Sequence, residues 1–185
     1  DLSTRMTGTH ELAILTDRDA EALYVLRHST AHVMAEAIQR LWPEAQLAYG
    51  PALDTGFYYD IALNTPISAN DFSKIEAEME KIVAENRPFT RYDLPTDQGL
   101  NRLQKEANKY KIDNAQRAVA GGATTLSWYV TGKPDQNWED LCMGPHAPST
   151  GKIKAFKIMS VASSYWHGDA SSDRFQRVYG TAFFD

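Results

Sequence analysis

The residues of this chain best equipped for chemistry are its nitrogen and sulfur donors, five histidines and one cysteine. His28 and His32 stand four apart in RHSTAHVMAEAI, and Cys142 and His146 stand four apart in DLCMGPHAPSTGK. The first pair lies in a stretch with helical periodicity, where residues four apart are neighbours on one face. The second pair brackets Gly144-Pro145, which breaks a helix and implies a turn. A helix supplying two imidazoles and a turn supplying a thiol and a third imidazole can build one compact polar cluster. Each histidine taken alone is as readily a surface residue or a hydrogen-bonded core residue. Two pairs that together use four of the six Cys and His residues argue for a joint site.

Three chemistries suit such a cluster. Zinc takes nitrogen and sulfur ligands tetrahedrally. Metal-free acid/base catalysis needs an imidazole that can take a proton from water near the working pH. A thiolate activated by a neighbouring imidazole is a nucleophile. That last reading has the least support for Cys142, because no third orienting residue declares itself.

The elements that would position these groups follow from periodicity. Residues 17–42 read as a helix that Pro43 stops, with Thr16 or Asp17 as cap. Leu23, Leu26, Thr30, Val33, Ala37 and Leu41 form its expected core stripe. At about 100° per residue, His28 and His32 fall nearly opposite, beside the small Ala31 and Ala35. HELAIL, ahead of Thr16, reads as a strand, and AQLAYGPALDTGFYYDIAL as a hairpin or two short strands. A second helix is predicted over 71–86, with Asn70 as cap and Ile75, Met79 and Ile82 inward. Residues 88–94 read as a strand, 97–110 as a third helix, and AGGATT as a connection. TTLSWYV, KAFKIMSVASSYW and DRFQRVYGTAFF are strand-like, which makes the fold class α+β.

Bulk properties narrow the partners. A chain of 185 residues with one cysteine suits a single domain without intrachain disulfides, in a reducing, cytoplasmic setting. No apolar run approaches the roughly 18 residues a membrane helix needs. A net charge of −5 argues against a surface that grips nucleic acid unaided, so other domains are expected to hold any RNA. The first residues carry neither a targeting signal nor an initiator methionine and read as a cut inside a longer protein.

RHSTAH, YGPALDTGFYYD, Tyr110-Lys111, DLCMGPHAPSTGK, SYWHGD and QRVYGTAF together resemble the editing domain of bacterial-type threonyl-tRNA synthetase. The resemblance implies antiparallel sheets packed with a long central helix, in the threonyl/alanyl editing fold of class II synthetases. It places the editing domain at 16–185, with 1–15 as a linker or the tail of a preceding small β-rich domain. It implies hydrolysis of the ester in mischarged seryl-tRNA(Thr) after transfer. A missing methyl discriminates by only about 1–3 kcal/mol, so accurate charging needs a second sieve.

By the same resemblance His28 is the base or water-positioner and Lys111 the cation that orients water or offsets developing charge. His32, Cys142 and His146 line the pocket. Asp140 and Tyr59 line it too, the carboxylate facing the substrate ammonium, and Gly50 lets backbone approach the substrate. Outside the resemblance, Tyr59 reads equally as core, Asp140 as a turn cap and Lys111 as a surface lysine. No cofactor is required for editing. Zinc on His28, His32, Cys142 and His146 is the alternative, as in alanyl-type trans-editing deacylases, and an inactive tRNA-binding module is the other. Expected partners are the 3′ end of tRNA(Thr) carrying serine and the remaining synthetase domains, through which the whole enzyme would dimerise. The chain departs from the pattern at Met143 and His167, where arginines are usual. Any phosphate contact would then pass to Lys152, Lys154, Arg174 or Arg177, with His167 on the surface and His10 outside the domain.

Overall fold

The computed structural model describes residues 6–185. The expected tail at 1–15 therefore lies partly outside the described residues. Of the rest, 10–15 form no strand: Leu12 and Ile14 are 67% and 81% exposed, and no neighbouring strand offers their backbone a ladder.

Helix α1 (Ala20–Leu41) starts three residues later than the expected 17, because Asp19, not Thr16 or Asp17, is the N-cap and its carboxylate turns back to accept from the Thr16 amide and hydroxyl. Three strands, β1 (Gln46–Tyr49), β2 (Ala52–Leu53) and β3 (Gly56–Ala62), fill the next stretch: β2 and β3 form the expected hairpin across Asp54-Thr55, and β1 also pairs with β3. Helix α2 (Phe72–Ala84) buries Ile75, Met79 and Ile82 as its spacing predicted. Its lead-in is capped by Ser68, reciprocally with Asp71, and not by Asn70.

Strand β4 (Phe89–Pro95) leads into α3 (Thr96–Glu106) and α4 (Lys109–Ala120), where the sequence suggested one helix. Ala107 takes a left-handed conformation (φ 55°) that ends α3. Asn108 then starts α4 by accepting from the amides of Tyr110 and Lys111. Lys111 thus sits in the first turn of a separate helix. Strands β5 (Thr125–Thr131), β6 (Glu139–Leu141), β7 (Ala155–Tyr165) and β8 (Arg174–Phe183) complete the chain.

All strand pairings are antiparallel. One sheet runs β1-β3-β8-β7 with β2 added to β3, and the other runs β4-β5-β6. Helix α1 packs on β3 and β8 of the larger sheet and against α2, while α3 packs on β4 and β5 of the smaller. The main core includes Leu26, Val33, Met34, Ile38, Phe57, Tyr59, Ile61 and Val178. Burying each large aliphatic side chain there contributes about 1.5–3 kcal/mol. The expected apolar stripe on α1 is present, but the opposite side is covered too. Arg27, Ser29, Ala31, His32, Ala35 and Glu36 are all buried. Alanine at 31 and 35 lets the second layer approach closely.

Candidate functional site

The donors of His28, His32, Cys142 and His146 lie within 4.8 Å of one another. Two come from successive turns of α1 and two from the turn after β6, so the two pairs meet. His28 Nε2 is 3.0 Å and His146 Nε2 3.4 Å from Cys142 Sγ, which also accepts from the Gly144 amide at 3.2 Å. The three imidazoles stack obliquely, with centroids 4.2–5.2 Å apart. Phe89 lies parallel to His146 at 4.8 Å, and Trp138 meets His32 edge-on at 5.6 Å. Gly144 is required in the turn: its φ is +72°, and a Cβ there would lie 2.3 Å from the Tyr129 hydroxyl.

A second polar group adjoins the first. Lys111 Nζ is 2.7 Å from Asp140 Oδ1 and donates to the Tyr59 hydroxyl at 3.0 Å. That hydroxyl donates in turn to Asp140 Oδ2 through a short hydrogen bond. Asp140 Oδ2 lies 3.9 Å from His32 Nε2, joining the two groups. Tyr59 therefore fulfils both readings, as core through its ring and as site through its hydroxyl. Both Asp140 oxygens are engaged within the protein, although a carboxylate has about four acceptor positions and can take a further donor. Gly50 has a role inside the fold: a Cβ on it would lie 2.3 Å from the Tyr59 ring. A cavity of about 540 Å³ opens beside Lys111 and Asp140, walled by Asn108, Glu139, Leu47 and Trp128.

Burial governs the protonation of the cluster. It depresses the His28 imidazole to about 4, opposed by Asp140 and reinforced by Lys111. His32 and His146 are held well below the ordinary imidazole range, first by burial and then by neighbouring imidazoles. The Cys142 thiol is pushed up to about 12 by burial, against the Gly144 amide. Burial and then Asp140 raise Tyr59 well above its usual value. At neutral pH three imidazoles and a thiol stand uncharged beside a Lys–Asp pair.

These donors fit zinc. A tetrahedral site with Zn–N of about 2.0–2.1 Å and Zn–S of about 2.3 Å has edges of roughly 3.3–3.6 Å. The 3.0 and 3.4 Å contacts to Sγ are already close to that, and a separation of 4.8 Å would contract by roughly 1.2–1.5 Å. His32 Nδ1 is buried with no hydrogen-bond partner.

His167 stands apart from the cluster. It packs on Trp166 and bridges Asp113 and Arg117 of α4 at 3.1 Å each. Met143 is 85% exposed on the site turn. Of the cations expected to meet phosphate, Arg177 is doubly bonded to Asp60 and Arg174 bonds Ser163, while Lys152 and Lys154 are exposed. His10 lies in the exposed N-terminal segment. Sequence reasoning passed over Ser29, which bonds His146 and Ala147, and Asn108. A preferred N-cap residue at 108 was the available signal for the latter. Among the described residues no helix is long and apolar enough to cross a membrane.

An α+β domain with antiparallel sheets and a pooled His/Cys site is the type of domain seen here, and over residues 131–179 the chain matches the family described as "Threonyl and Alanyl tRNA synthetase second additional domain". Along its length it resembles threonine–tRNA ligases. It is 42% identical to that of Anaeromyxobacter dehalogenans (strain 2CP-C) over 185 residues, which are 100% of this chain and 28% of the relative. It is 42% identical to that of Clostridium botulinum (strain 657 / Type Ba4) and 43% to that of Clostridium tetani (strain Massachusetts / E88), each over 183 residues, 99% of this chain and 28% of the relative. The resemblance carried by the motifs is thus shown: this chain is a relative of threonyl-tRNA synthetases, spanning 28% of the length of the ligases it matches.

Proposed function

We propose that this chain is the post-transfer editing domain of a cytoplasmic threonyl-tRNA synthetase, with the threonyl/alanyl editing fold of class II synthetases, hydrolysing the ester of seryl-tRNA(Thr). The observation that carries the reading is the convergence of His28, His32, Cys142 and His146 beside the Lys111–Asp140–Tyr59 group. Ester hydrolysis needs a positioned water and a counter-charge for the oxyanion.

His28 is the least covered of the three clustered imidazoles and is neutral at pH 7, with Nε2 against Cys142 Sγ, so in this reading its unprotonated nitrogen accepts from water. Lys111 supplies the positive field, which reaches His28, His32 and Cys142. Asp140 holds that ammonium in place and has acceptor capacity left for the substrate's own ammonium. Discrimination in this reading is by size: a site among packed rings admits a hydroxymethyl side chain and rejects the extra methyl of threonine. The RNA itself is gripped mainly by other domains of the synthetase, because this chain carries a net charge of −5.

The test is deacylation of seryl-tRNA(Thr) beside threonyl-tRNA(Thr), with wild-type protein and His28→Ala and Lys111→Ala variants whose folding is checked by circular dichroism. Hydrolysis of the seryl ester alone is expected, with losses of about 10²–10⁴ in each variant. Turnover unchanged by His28→Ala would remove that residue from the chemistry.

The compact donor set favours a second reading, in which His28, His32, Cys142 and His146 hold zinc. Held by all four side chains, zinc would have its tetrahedral positions filled, and it would polarise the ester carbonyl or acidify a water only if one ligand yielded or a fifth position opened. Metal analysis and a chelator separate the two, since the metal-free reading expects hydrolysis to survive chelation.

A further inference from the structure

We propose that Ser29 is a positioning residue that fixes the tautomer of His146, and so the direction in which the cluster presents a bare imidazole nitrogen. Ser29 follows His28 on α1 and is fully buried. Its hydroxyl has three polar neighbours: the Val25 carbonyl at 2.8 Å, the Ala147 amide at 2.8 Å and His146 Nδ1 at 3.2 Å.

A hydroxyl offers one proton and two lone pairs. The Ala147 amide can only donate, so it takes one lone pair. The Val25 carbonyl can only accept, and two oxygens 2.8 Å apart require a proton between them, which only Ser29 can provide. One lone pair remains, and it faces His146 Nδ1. That nitrogen must therefore carry hydrogen and donate. Were the hydroxyl turned to Nδ1 instead, the Val25 and Ser29 oxygens would face each other with no proton shared.

With Nδ1 protonated, neutral His146 has its lone pair on Nε2, which lies 3.4 Å from Cys142 Sγ. Ser29 thus grips the site turn twice, by the side chain of His146 and the backbone of Ala147, and Phe89 and Tyr129 clamp the same ring at 4.8 and 4.4 Å. The cluster receives a fixed acceptor for the thiol proton or for a substrate hydroxyl. A neutral imidazole free of such a partner would instead favour hydrogen on Nε2, which would turn a donor toward Sγ. The consequence for hydrolysis rests on the editing reading above, whereas the tautomer itself does not.

The experiment uses the whole chain, treated with chelator and labelled with ¹⁵N-histidine, with long-range ¹H–¹⁵N correlation to read the protonated nitrogen. The His146 signals are assigned by their loss in His146→Gln. The expected wild-type result is a single Nδ1–H tautomer. Ser29→Ala is expected to shift His146 toward Nε2–H and to lower kcat for seryl-tRNA(Thr) about tenfold or more with little change in KM, as outer partners of site histidines do. An Nε2–H tautomer in the wild type overturns the proposal, as does retention of Nδ1–H in a folded Ser29→Ala protein. Should Ser29→Ala not fold, the wild-type spectrum decides alone. The expected tautomers in a wild-type protein that does not hydrolyse seryl-tRNA would remove the editing reading and leave the role of Ser29 intact.

Discussion

Replacing Lys111 by methionine keeps most of the side chain's volume and deletes its charge from a site where both it and Asp140 are only 6% exposed. At the observed 2.7 Å and an effective dielectric of about 20, the gross attraction in the pair is roughly 6 kcal/mol. Desolvation of the two ions offsets most of that, so the intact pair contributes little net stability. Removing one member is different, because the other charge stays buried. Lys111→Met leaves the Asp140 carboxylate with the Tyr59 hydroxyl as its one close donor, and a cost of about 3–5 kcal/mol is expected. In a chain of this size that corresponds to a fall in Tm of about 6–20 °C. Asp140→Asn is expected to cost a similar amount, since it strands the ammonium. The double variant Lys111→Met/Asp140→Asn contains no buried charge at this place and should recover about 2–3 kcal/mol relative to the sum of the singles. Urea unfolding of the four proteins, followed by tryptophan fluorescence, measures all three quantities. A single variant within about 1 kcal/mol of wild type, or strict additivity in the double, would refute the claim that these charges are desolvated and depend on each other.

Three other outcomes follow from the same geometry. With His28 depressed to about 4 and His32 and His146 also lowered, the unfolded chain binds more protons than the native one below the ordinary imidazole value near 6.5. Stability in metal-free protein should be level with respect to these groups above pH 7 and decline as pH falls from 6.5 toward 4, and a urea midpoint independent of pH across that window would contradict it. Asn108→Ala removes both the cap of α4 and a hydrogen bond to the Leu47 carbonyl. It should lower stability by about 1–2 kcal/mol in thermal melts and reduce hydrolysis through a displaced Lys111. Gly50→Ala drives a methyl into the Tyr59 ring, and a loss of about 1–3 kcal/mol together with hydrolysis is expected, whereas unaltered activity would show that the ring can yield.

Much of the site was written locally. The four-residue spacings of His28/His32 and Cys142/His146 survive into three dimensions because a helix and a Gly-Pro turn are both set by near neighbours. Strands β5, β7 and β8 and the buried face of α2 were legible for the same reason. The α3–α4 break was not, since the apolar spacing through Leu100 and Leu103 continues toward Tyr110 and only the left-handed Ala107 interrupts it. The second buried face of α1 was hidden because alanines and a serine give little periodic signal. Its Glu36 is matched by Arg87, fifty-one residues on, and by the Thr131 hydroxyl, partners that no local pattern announces. Asp140, Tyr59 and Lys111 were found through the resemblance, and their mutual bonds exist only in the folded chain.

The cluster is stitched across a seam. His28 and His32 belong to the helix lying on the larger sheet, while Asp140 and Cys142 come from the last strand of the smaller sheet and the turn beyond it. Neither half holds the whole cluster. A segment ending near Arg87 would retain the two α1 imidazoles without the thiol or Asp140, and a graft of the smaller sheet with its turn would bring the thiol, His146 and the Lys111–Asp140 pair without those two imidazoles or the Tyr59 hydroxyl. The cluster is inherited only as a whole, so any change in the docking of the two sheets bears on it.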